Sequence, residues 1–504
     1  MYDYDLIILG GGSAGIVSGV MAGALGLRVL LIEKGKMGGE CLNTGCVPSK
    51  ALLHAAKVAR TMREADKVGL TKQTLTRADT AGVMAHVRQT ITVVEDADAT
   101  VKLLTDNGVE IKHGSAQFID PHTLTLDGQS VTAANFILAT GSSPKTPEVP
   151  GLTDSSYLTN QSVFDLDEVP DRLLVVGGGP NGVESAQAFA LLGSRVTLVQ
   201  RGDRLLLRDD AEMGRLLETY LREDGLDIRL NTTLAEVWPG GTGQVAVLRQ
   251  GTQTSEVGFD QILFGIGRRP NTEGLDLEQA GVTYGDKSVF TDDQLRTSAP
   301  HIYACGDLLG HDQFSHLAEY EAKLVVRNIV FPGQSAASFR LRPWTTFTDP
   351  ESTHIGQTEE DLNAEGTAYE VYKQPFAQND RAITDGETRG LIKVLTQGPT
   401  GKILGVHILG SRSGELAQEW ILAMEQGLSI RTIADMVHIY PTLSLACQHV
   451  AQRWYERKAS EPVVKTALKT YVQTVRPREN KIAACLFGAL AVGFGLSVWK
   501  QTRE

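Results

Sequence analysis

Two stretches of the chain share one pattern of apolar and polar positions. The first runs LIIL, GGGSAG, a segment rich in small residues and RVLLIEK; the second runs LLVV, GGGPNG, a similar segment and RVTLVQR. Short uninterrupted apolar runs predict buried strands, and a glycine turn between strand and helix is typical of a dinucleotide-binding unit. The repeat therefore predicts two Rossmann-like domains that handle two nucleotides together.

The remaining pattern predicts how the other segments attach to these domains. Residues 50–110 are predicted to be helical, and after about residue 272 the chain is expected to return to the first unit through HIYACGDLLG. Strand-like runs such as GLIKVLT and KILGVHILG follow residue 340. The predicted α/β fold has a first nucleotide domain in two parts (1–150 and 273–337), a second nucleotide domain (151–272) and an α+β domain (338–460).

The C-terminal segment has a different composition. Residues 461–481 form a polar, net-basic connector, and residues 482–499 carry no charged side chain. An 18-residue helix spans about 27 Å, close to the hydrocarbon thickness of a bilayer. With more basic residues before the segment than after it, we expect a transmembrane helix and a catalytic body in the cytoplasm. The alternative is an apolar helix that docks on the body or on a partner subunit.

Composition excludes several classes of protein. The 504 residues are 42% hydrophobic and 21% charged, which is typical of a globular chain. A net charge of −12 makes nucleic acid an unfavourable partner. Five cysteines are too few for an extracellular disulfide scaffold.

The first glycine turn has the spacing GxGxxG at Gly10, Gly12 and Gly15. Such glycines permit a tight turn, close approach of the backbone to a pyrophosphate and close packing of helix on strand. Glu33 ends the next predicted strand, where a carboxylate accepts hydrogen bonds from ribose hydroxyls. A nucleotide site is therefore predicted here.

The segment GGECLNTGCVPSK places Cys41 and Cys46 directly after the first nucleotide unit. A thiol at the start of a helix has its thiolate stabilised, which favours disulfide exchange. The alternatives are a buried structural pair or half of a metal site. No second cysteine pair or histidine cluster supplies further ligands in the sequence, so no metal is expected.

Further motifs make a resemblance specific. They are ATG at 139–141, GIGRRPN at 265–271, CGD at 305–307 and FTDPESTHIGQTE at 347–359. Over residues 4–458 the chain resembles the class I pyridine nucleotide-disulfide oxidoreductases, the family of dihydrolipoamide dehydrogenase, glutathione reductase and mercuric reductase. The resemblance implies FAD, NAD(P)H and a homodimer in which the partner subunit completes each active site.

The resemblance also implies roles for single residues. Cys46 would lie beneath the flavin, Cys41 would be the exchange thiol, and Lys50 and Glu184 would form a pair beside the flavin. The implied contacts with the two cofactors are Gly10, Gly12, Gly15, Glu33, Lys50, Gly114, Gly141 and Asp307, together with Gly177, Gly179, Gly182 and Gly267.

The second nucleotide unit indicates which nicotinamide is used. Gln200 stands where a carboxylate would repel the 2′-phosphate of NADPH, and Arg201, Arg204 and Arg208 follow it. Arginines bind phosphate through bidentate hydrogen bonds. NADPH is therefore expected, with Arg201 and Arg208 as contacts; the alternative is that the arginines are solvated and that NADH is the donor.

One segment departs from the pattern of disulfide-reducing relatives. There, HPTxxE supplies a proton-shuttling histidine and an orienting glutamate; here YPTLSL places Tyr440 and Leu445 at those positions. An unperturbed phenol, with a pKa near ~10, is a poor proton shuttle at neutral pH. His438 could share a face with Tyr440 in an extended segment. Mercuric reductases also carry tyrosine here, but the vicinal C-terminal cysteines of that type are absent from this sequence.

These features predict an FAD-dependent NAD(P)H oxidoreductase that passes electrons through Cys41 and Cys46 to an unidentified acceptor, with a quinone at the membrane as one candidate. Two alternatives stay open. One is an enzyme of the dihydrolipoamide dehydrogenase or mercuric reductase type, and the other is a membrane-tethered redox-sensing subunit with little turnover.

Overall fold

The computed structural model describes residues 1–72, 77–152, 157–241, 243–333 and 335–475. Two compact units are present in the chain. The first comprises Met1–Arg208, Gly214–Arg342 and Thr346–Asp349, and the second comprises Asp209–Met213, Pro343–Thr345 and the chain from Pro350.

The first unit alternates strands and helices. Its described strands are β1 Tyr4–Leu9, β2 Val29–Glu33, β3 Val109–His113, β4 Ala116–Asp120, β5 Thr123–Leu126, β6 Gln129–Leu138, β7 Ser142–Pro144, β8 Arg172–Val176, β9 Arg195–Val199, β10 Asp227–Arg229, β11 Thr233–Gly240, β12 Gly243–Gln250, β13 Gln253–Phe259, β14 Gln261–Phe264, β15 Arg268–Pro270, β16 Tyr284–Gly285, β17 Ser288–Val289 and β18 Ile302–Ala304. The described helices up to residue 330 are α1 Ser13–Ala24, α2 Gly39–Asn43, α3 Cys46–Arg63, α4 Arg77–Asp98, α5 Thr100–Asp106, α6 Pro180–Leu191, α7 Ala211–Glu223 and α8 Ser315–Val330.

The first sheet runs β3-β2-β1-β6-β5-β4 among the described strands, and β18 also pairs with β6. β1 pairs in parallel with β2 and β6, and Ile7 lies opposite both Leu30 and Phe136. These three side chains are fully buried. An uninterrupted apolar strand suits this position because both faces of a parallel sheet are covered. The parallel strands place the glycine turn after β1 at their carboxyl edge.

A second, smaller sheet repeats the arrangement. Its described order is β10-β9-β8-β14, all parallel, and α6 follows β8 as α1 follows β1. A meander of β11, β12 and β13 extends this part of the unit. The chain therefore builds two glycine turns of the same kind from strands that are distant in sequence.

The second unit contains an antiparallel sheet in the order β19-β20-β23-β22-β21. Its strands are β19 Trp344–Thr346, β20 Glu351–Gly356, β21 Glu370–Pro375, β22 Leu391–Gln397 and β23 Lys402–Gly410. The described helices here are α9 Glu359–Ala364, α10 Asp380–Asp385, α11 Ser413–Glu425, α12 Ile430–Asp435, α13 Leu445–Ser460 and α14 Pro462–Thr470.

A buried lysine ties an early segment of the chain into the second unit. The side chain of Lys393 is 1% exposed, and its ammonium lies 2.9 Å from both carboxylate oxygens of Asp210 and 3.1 Å from Glu212. Glu359 also pairs with it. A charge is tolerated in a protein interior when it is paired in this way. The segment Asp209–Met213 thereby belongs to the second unit, although its neighbours in sequence belong to the first.

The membrane-spanning element of the expected fold class needs correction. Up to Val475, the helices that the structure describes are all too short or too polar to cross a bilayer. The longest of them, α4, has 22 residues but includes Arg88 and Glu95. Residues 482–499, on which the expectation rested, lie outside the described residues. The fold shown is α/β, with Rossmann-like parts and an antiparallel C-terminal part.

Candidate active site

The first glycine turn has the geometry of a nucleotide cradle. Gly10 has a φ of +108°, and a β-carbon on Gly15 would lie 1.8 Å from the carbonyl oxygen of Gly10. Gly12 precedes α1, and no described side chain caps that helix start. Glu33 accepts hydrogen bonds from the amides of Gly11 and Gly35, both at 2.6 Å. Because uncapped amide groups attract phosphate, this cradle fits FAD.

The second turn repeats the first with one chemical change. Gly177 has a φ of +119°, and a β-carbon on Gly182 would lie 1.9 Å from its carbonyl oxygen. No atom lies within 4 Å of a β-carbon placed on Gly179, among the atoms described. Gln200 accepts a hydrogen bond from the amide of Gly178 at 3.3 Å, as Glu33 does from Gly11. A neutral amide thus replaces the carboxylate.

The three arginines after Gln200 lie in different environments. Arg201 is exposed. Arg204 donates to the carbonyl oxygen of Leu207 at 3.1 Å. Arg208 forms an ion pair with the buried carboxylate of Asp312. The structure therefore gives Arg208 a partner within the protein, whereas Arg201 is exposed.

The two cysteines lie at the junction of α2 and α3. Cys41 is in α2, and Cys46 is the first residue of α3. The hydrogen bond between the two thiols is the strongest influence on both: it lowers the pKa of Cys46 and, together with burial, raises the pKa of Cys41. Burial opposes this effect at Cys46, but a contact with Ser315 and the positive charge of Lys50 also lower its pKa, and the net value is about 6. Of the two thiols, Cys46 is therefore the thiolate at neutral pH.

Lys50 and Glu184 form the pair that the resemblance implied. The ammonium of Lys50 lies 2.9 Å from Glu184, whose side chain is 6% exposed. The other oxygen of Glu184 accepts from the amide of Phe347 at 2.8 Å, and Lys50 lies 4.4 Å from the centre of the Phe347 ring. These contacts fix the cation one helical turn from Cys46.

A polar network joins the cysteine segment to Asp307. Ser142 donates to Asp307 at 2.7 Å and accepts from Arg268 at 2.7 Å. Arg268 also pairs with Glu40, the residue before Cys41. Gln161 donates to the same glutamate at 2.7 Å. The network holds the cysteine segment against the loop that carries Asp307.

Three predicted glycine contacts lie around these loops. Gly114 donates to the carbonyl oxygen of Glu33 at 3.0 Å. Gly141 and Gly267 each accept a backbone hydrogen bond at 3.0 Å, from Asn271 and Lys145 respectively. All three have positive φ, between +68° and +154°, a conformation that favours glycine.

Tyr440 belongs to the second unit, and its surroundings contain no available imidazole among the described residues. Its side chain is 66% exposed, and its hydroxyl donates to Asp380 at 3.0 Å, a contact that raises the pKa of Tyr440. His438 contacts the carbonyl oxygen of Met436 at 3.2 Å and Glu419 at 3.1 Å, with a side chain only 3% exposed. The expected common face of His438 and Tyr440 is not formed.

Sequence reasoning assigned no role to several residues of this site. They are Ser315, Phe347, Ser142, Glu40 and Arg268. All of these except Ser315 stand in or beside motifs that were identified from the sequence. Glu40, next to Cys41, and Arg268, in GIGRRPN, could therefore have been recognised as candidate site residues. Ser315 has no such signal because it contacts Cys46 across 269 positions of sequence.

Comparisons with known proteins decide the family. Residues 4–323 match the family described as Pyridine nucleotide-disulphide oxidoreductase, and residues 342–451 match its dimerisation domain. The chain belongs to this family. The match to the dimerisation domain supports the expected homodimer.

Similar members of the family include two enzymes and one solved structure. A mercuric reductase of Staphylococcus aureus is 34% identical over 443 residues, which cover 88% of this chain and 81% of the relative. A dihydrolipoyl dehydrogenase of Thermus scotoductus is 34% identical over 461 residues, which cover 91% and 98%. The HOCl-induced flavoprotein disulfide reductase RclA of Escherichia coli aligns with a TM-score of 0.80 at 26% identity, covering 89% and 99%.

A pyridine nucleotide-disulphide oxidoreductase uses FAD and NAD(P)H. When bound, FAD supplies two-electron transfer between the nicotinamide and the dithiol. The first glycine turn, Glu33 and Asp307 would hold it. Lys50 lies beside Cys46 and pairs with Glu184, and the pKa of Cys41 is raised while that of Cys46 is lowered.

Proposed function

We propose that this oxidoreductase takes electrons from NADPH and delivers them through Cys41 and Cys46 to a thiophilic metal ion rather than to a disulfide. The environment of Tyr440 carries the proposal. Exchange between a dithiol and a disulfide substrate is helped by a group that takes and returns a proton near neutral pH. Tyr440 holds its proton more tightly than an ordinary phenol because its hydroxyl faces Asp380 at 3.0 Å.

The neighbouring residues do not replace the missing shuttle. His438 has both ring nitrogens against oxygen acceptors and is almost fully buried. Leu445 begins α13 and offers no carboxylate to orient an imidazole. Among the described residues beside Tyr440, neither His438 nor Leu445 therefore supplies acid–base assistance to the turnover of a disulfide.

A metal ion accepts electrons without receiving a proton. Thiolates are soft ligands that favour ions such as Cu(I) and Hg(II), and Cys46 is a thiolate at neutral pH. Relatives support this class of acceptor: one is named mercuric reductase, and RclA has been solved as a Cu(II) complex. With copper, two Cu(II) and the dithiol would give two Cu(I), the disulfide and two protons, and NADPH with one proton would restore the dithiol.

The acceptor is tested with a panel of substrates. Purified holoenzyme is supplied with NADPH and either Cu(II), oxidised lipoamide, oxidised glutathione or a soluble quinone. We expect kcat/KM for Cu(II) to exceed that for both disulfides by about tenfold or more. Cys41→Ser should abolish Cu(II) reduction while NADPH still reduces the flavin. Rapid lipoamide turnover, or a quinone rate that is highest and survives Cys41→Ser, would contradict the proposal.

Variants that restore the proton-shuttling histidine and its glutamate test whether their absence limits the turnover of disulfides. Tyr440→His combined with Leu445→Glu should raise lipoamide turnover by about 10²-fold, the usual scale of acid–base assistance. Tyr440→Phe is the matched control, since it removes the hydroxyl without supplying an imidazole. Equal rates in the double variant and in Tyr440→Phe would show that the missing shuttle does not limit disulfide turnover.

The preference for NADPH rests on Gln200 and Arg201. Gln200 keeps the hydrogen bond to the glycine turn but carries no charge that would repel a 2′-phosphate. Arg201 follows it directly and is exposed. Arg201→Ala should therefore reduce the ratio of kcat/KM for NADPH over NADH by about ten- to 150-fold.

Two further variants control this experiment. Gln200→Glu should shift the preference towards NADH. Arg208→Ala should change the ratio less than Arg201→Ala, because Arg208 is paired with Asp312. Equal use of both nucleotides by the unaltered enzyme would contradict the assignment.

A further inference from the structure

The hydroxyl of Ser315 lies beside the sulfur of Cys46. The Oγ–Sγ distance is 3.6 Å, and the two residues are 269 positions apart in sequence. Each is the first residue of its helix, Cys46 of α3 and Ser315 of α8. The packing of two distant helix starts therefore brings a hydrogen-bond donor to the thiol of lower pKa.

Ser315 has no capping role that would explain this placement. The residue that caps α8 is Phe314, whose carbonyl oxygen accepts from the amides of Leu317 and Ala318 at 3.1 and 3.0 Å. No described side chain caps this helix start. Substitution of the Ser315 side chain should thus leave the beginning of α8 intact.

A serine hydroxyl affects a thiolate more than a thiol. It carries one proton and can turn towards a negatively charged acceptor, and hydrogen bonds to charged groups are about twice as strong as neutral ones. The contact with Cys46 consequently favours ionisation of Cys46, in the same direction as the hydrogen bond from Cys41 and the charge of Lys50. A hydrogen bond with Ser315 also lowers the pKa of Cys41, but the hydrogen bond from Cys46 and burial outweigh it there.

We propose that Ser315 is a positioning residue that donates a hydrogen bond to the Cys46 thiolate and so favours ionisation of Cys46 in the reduced enzyme. A hydride equivalent from NAD(P)H brings two electrons and one proton to the disulfide. The S–S bond breaks to give one thiolate and one thiol. Ser315 stabilises the thiolate at Cys46, and the proton stays on Cys41. The inference rests on the dithiol chemistry of the family and not on the identity of the acceptor.

The experiment titrates Cys46 in the holoenzyme. Cys41→Ser removes the disulfide partner, so that Cys46 remains as a single thiol beside oxidised flavin. A thiolate in that place produces a long-wavelength charge-transfer absorption, and its dependence on pH gives the midpoint for ionisation of Cys46. The titration is repeated with Ser315→Ala, Ser315→Thr or Ser49→Ala added to Cys41→Ser.

Ser49 is a matched control because its hydroxyl donates to the carbonyl oxygen of Cys46 at 3.3 Å and not to the sulfur. We expect Ser315→Ala to raise the midpoint by roughly one pH unit. Ser315→Thr should restore it, and Ser49→Ala should leave it unchanged.

Two results would overturn the inference. One is a midpoint in Ser315→Ala equal to that of the Cys41→Ser parent. The other is an equal shift in Ser315→Ala and Ser315→Thr, which would indicate a packing effect. Should Ser315→Ala fail to retain FAD, Ser315→Val compared with Ser315→Thr gives the same test at equal side-chain size, and equal midpoints in those two variants would also overturn it. The acceptor panel is independent of these outcomes.

Discussion

At the scale of single residues, Cys46 is influenced by two neighbouring charges of opposite sign. Lys50 lowers the pKa of Cys46 and Glu184 raises it, and the two side chains neutralise each other at 2.9 Å. Removing one partner therefore also leaves the other unpaired. Lys50→Met should raise the pKa of Cys46 by about one unit, because a cation is lost and an anion is exposed. Glu184→Gln should lower it.

The direction in which each variant shifts the pKa of Cys46 determines how much thiolate is present at a given pH. With a pKa of about 6, Cys46 is ionised above that pH and becomes protonated as the pH falls through it. Lys50→Met should thus lose part of the thiolate absorption at pH 7, while Glu184→Gln should retain it at lower pH. Lys57→Met is the control, since Lys57 pairs with Asp349 at 3.4 Å. Shifts of the same sign in Lys50→Met and Glu184→Gln would refute this electrostatic account.

At the scale of elements, the ion pair of Glu40 and Arg268 joins α2 to β15. Their side chains are 29% and 14% exposed, so water screens the pair only partly. Glu40→Gln should reduce the free energy of unfolding by about 1–3 kcal/mol and speed amide exchange in residues 41–46. Denaturant unfolding and hydrogen exchange measure the two effects.

The chain offers a matched control one residue away. Arg269 pairs with Glu273 at 2.9 Å, with side chains 49% and 81% exposed. Glu273→Gln should change the free energy of unfolding by less than about 0.5 kcal/mol, as exposed pairs contribute little. Equal losses of unfolding free energy in Glu40→Gln and Glu273→Gln would show that burial does not make one ion pair more stabilising than the other.

The elements also show what could be predicted from the sequence. The two glycine turns were predictable because each is a local pattern, in which a strand, a turn and a helix follow one another within about 25 residues. Arg268 and Glu40 are 228 positions apart, and Ser315 and Cys46 are 269 apart. No local pattern encodes which loops meet at that distance, so these contacts required the structure. The charge-free C-terminal segment, residues 482–499, is also a local pattern. Its hydropathy alone was a poor basis for including a transmembrane helix in the fold.

At the scale of the whole molecule, the second unit exposes a run of apolar side chains. Val437, Ile439 and Tyr440 are 92%, 78% and 66% exposed. Exposed apolar patches of this kind mark interaction surfaces, and the dimerisation domain includes these residues. Ile439→Asp should weaken the dimer by about 10²-fold or more, because a charge would be desolvated at the interface.

Sedimentation at several protein concentrations measures this change. The variant should keep its flavin, since the residues that would hold FAD belong to the first unit. Phe290→Asp is the control: Phe290 is 52% exposed and lies in the first unit. An undiminished dimer in Ile439→Asp would place the interface elsewhere.

The buried lysine of the second unit has a consequence for synthesis on the ribosome. Asp210 and Glu212 leave the exit tunnel well before Lys393, which follows Asp210 by 183 positions. During that interval the two carboxylates have no partner at Lys393 and remain hydrated. The second unit cannot close around Lys393 until this late residue has been made, so a nascent chain arrested after Asp349 has emerged and before Lys393 emerges should bind nucleotide before it can pair with another subunit.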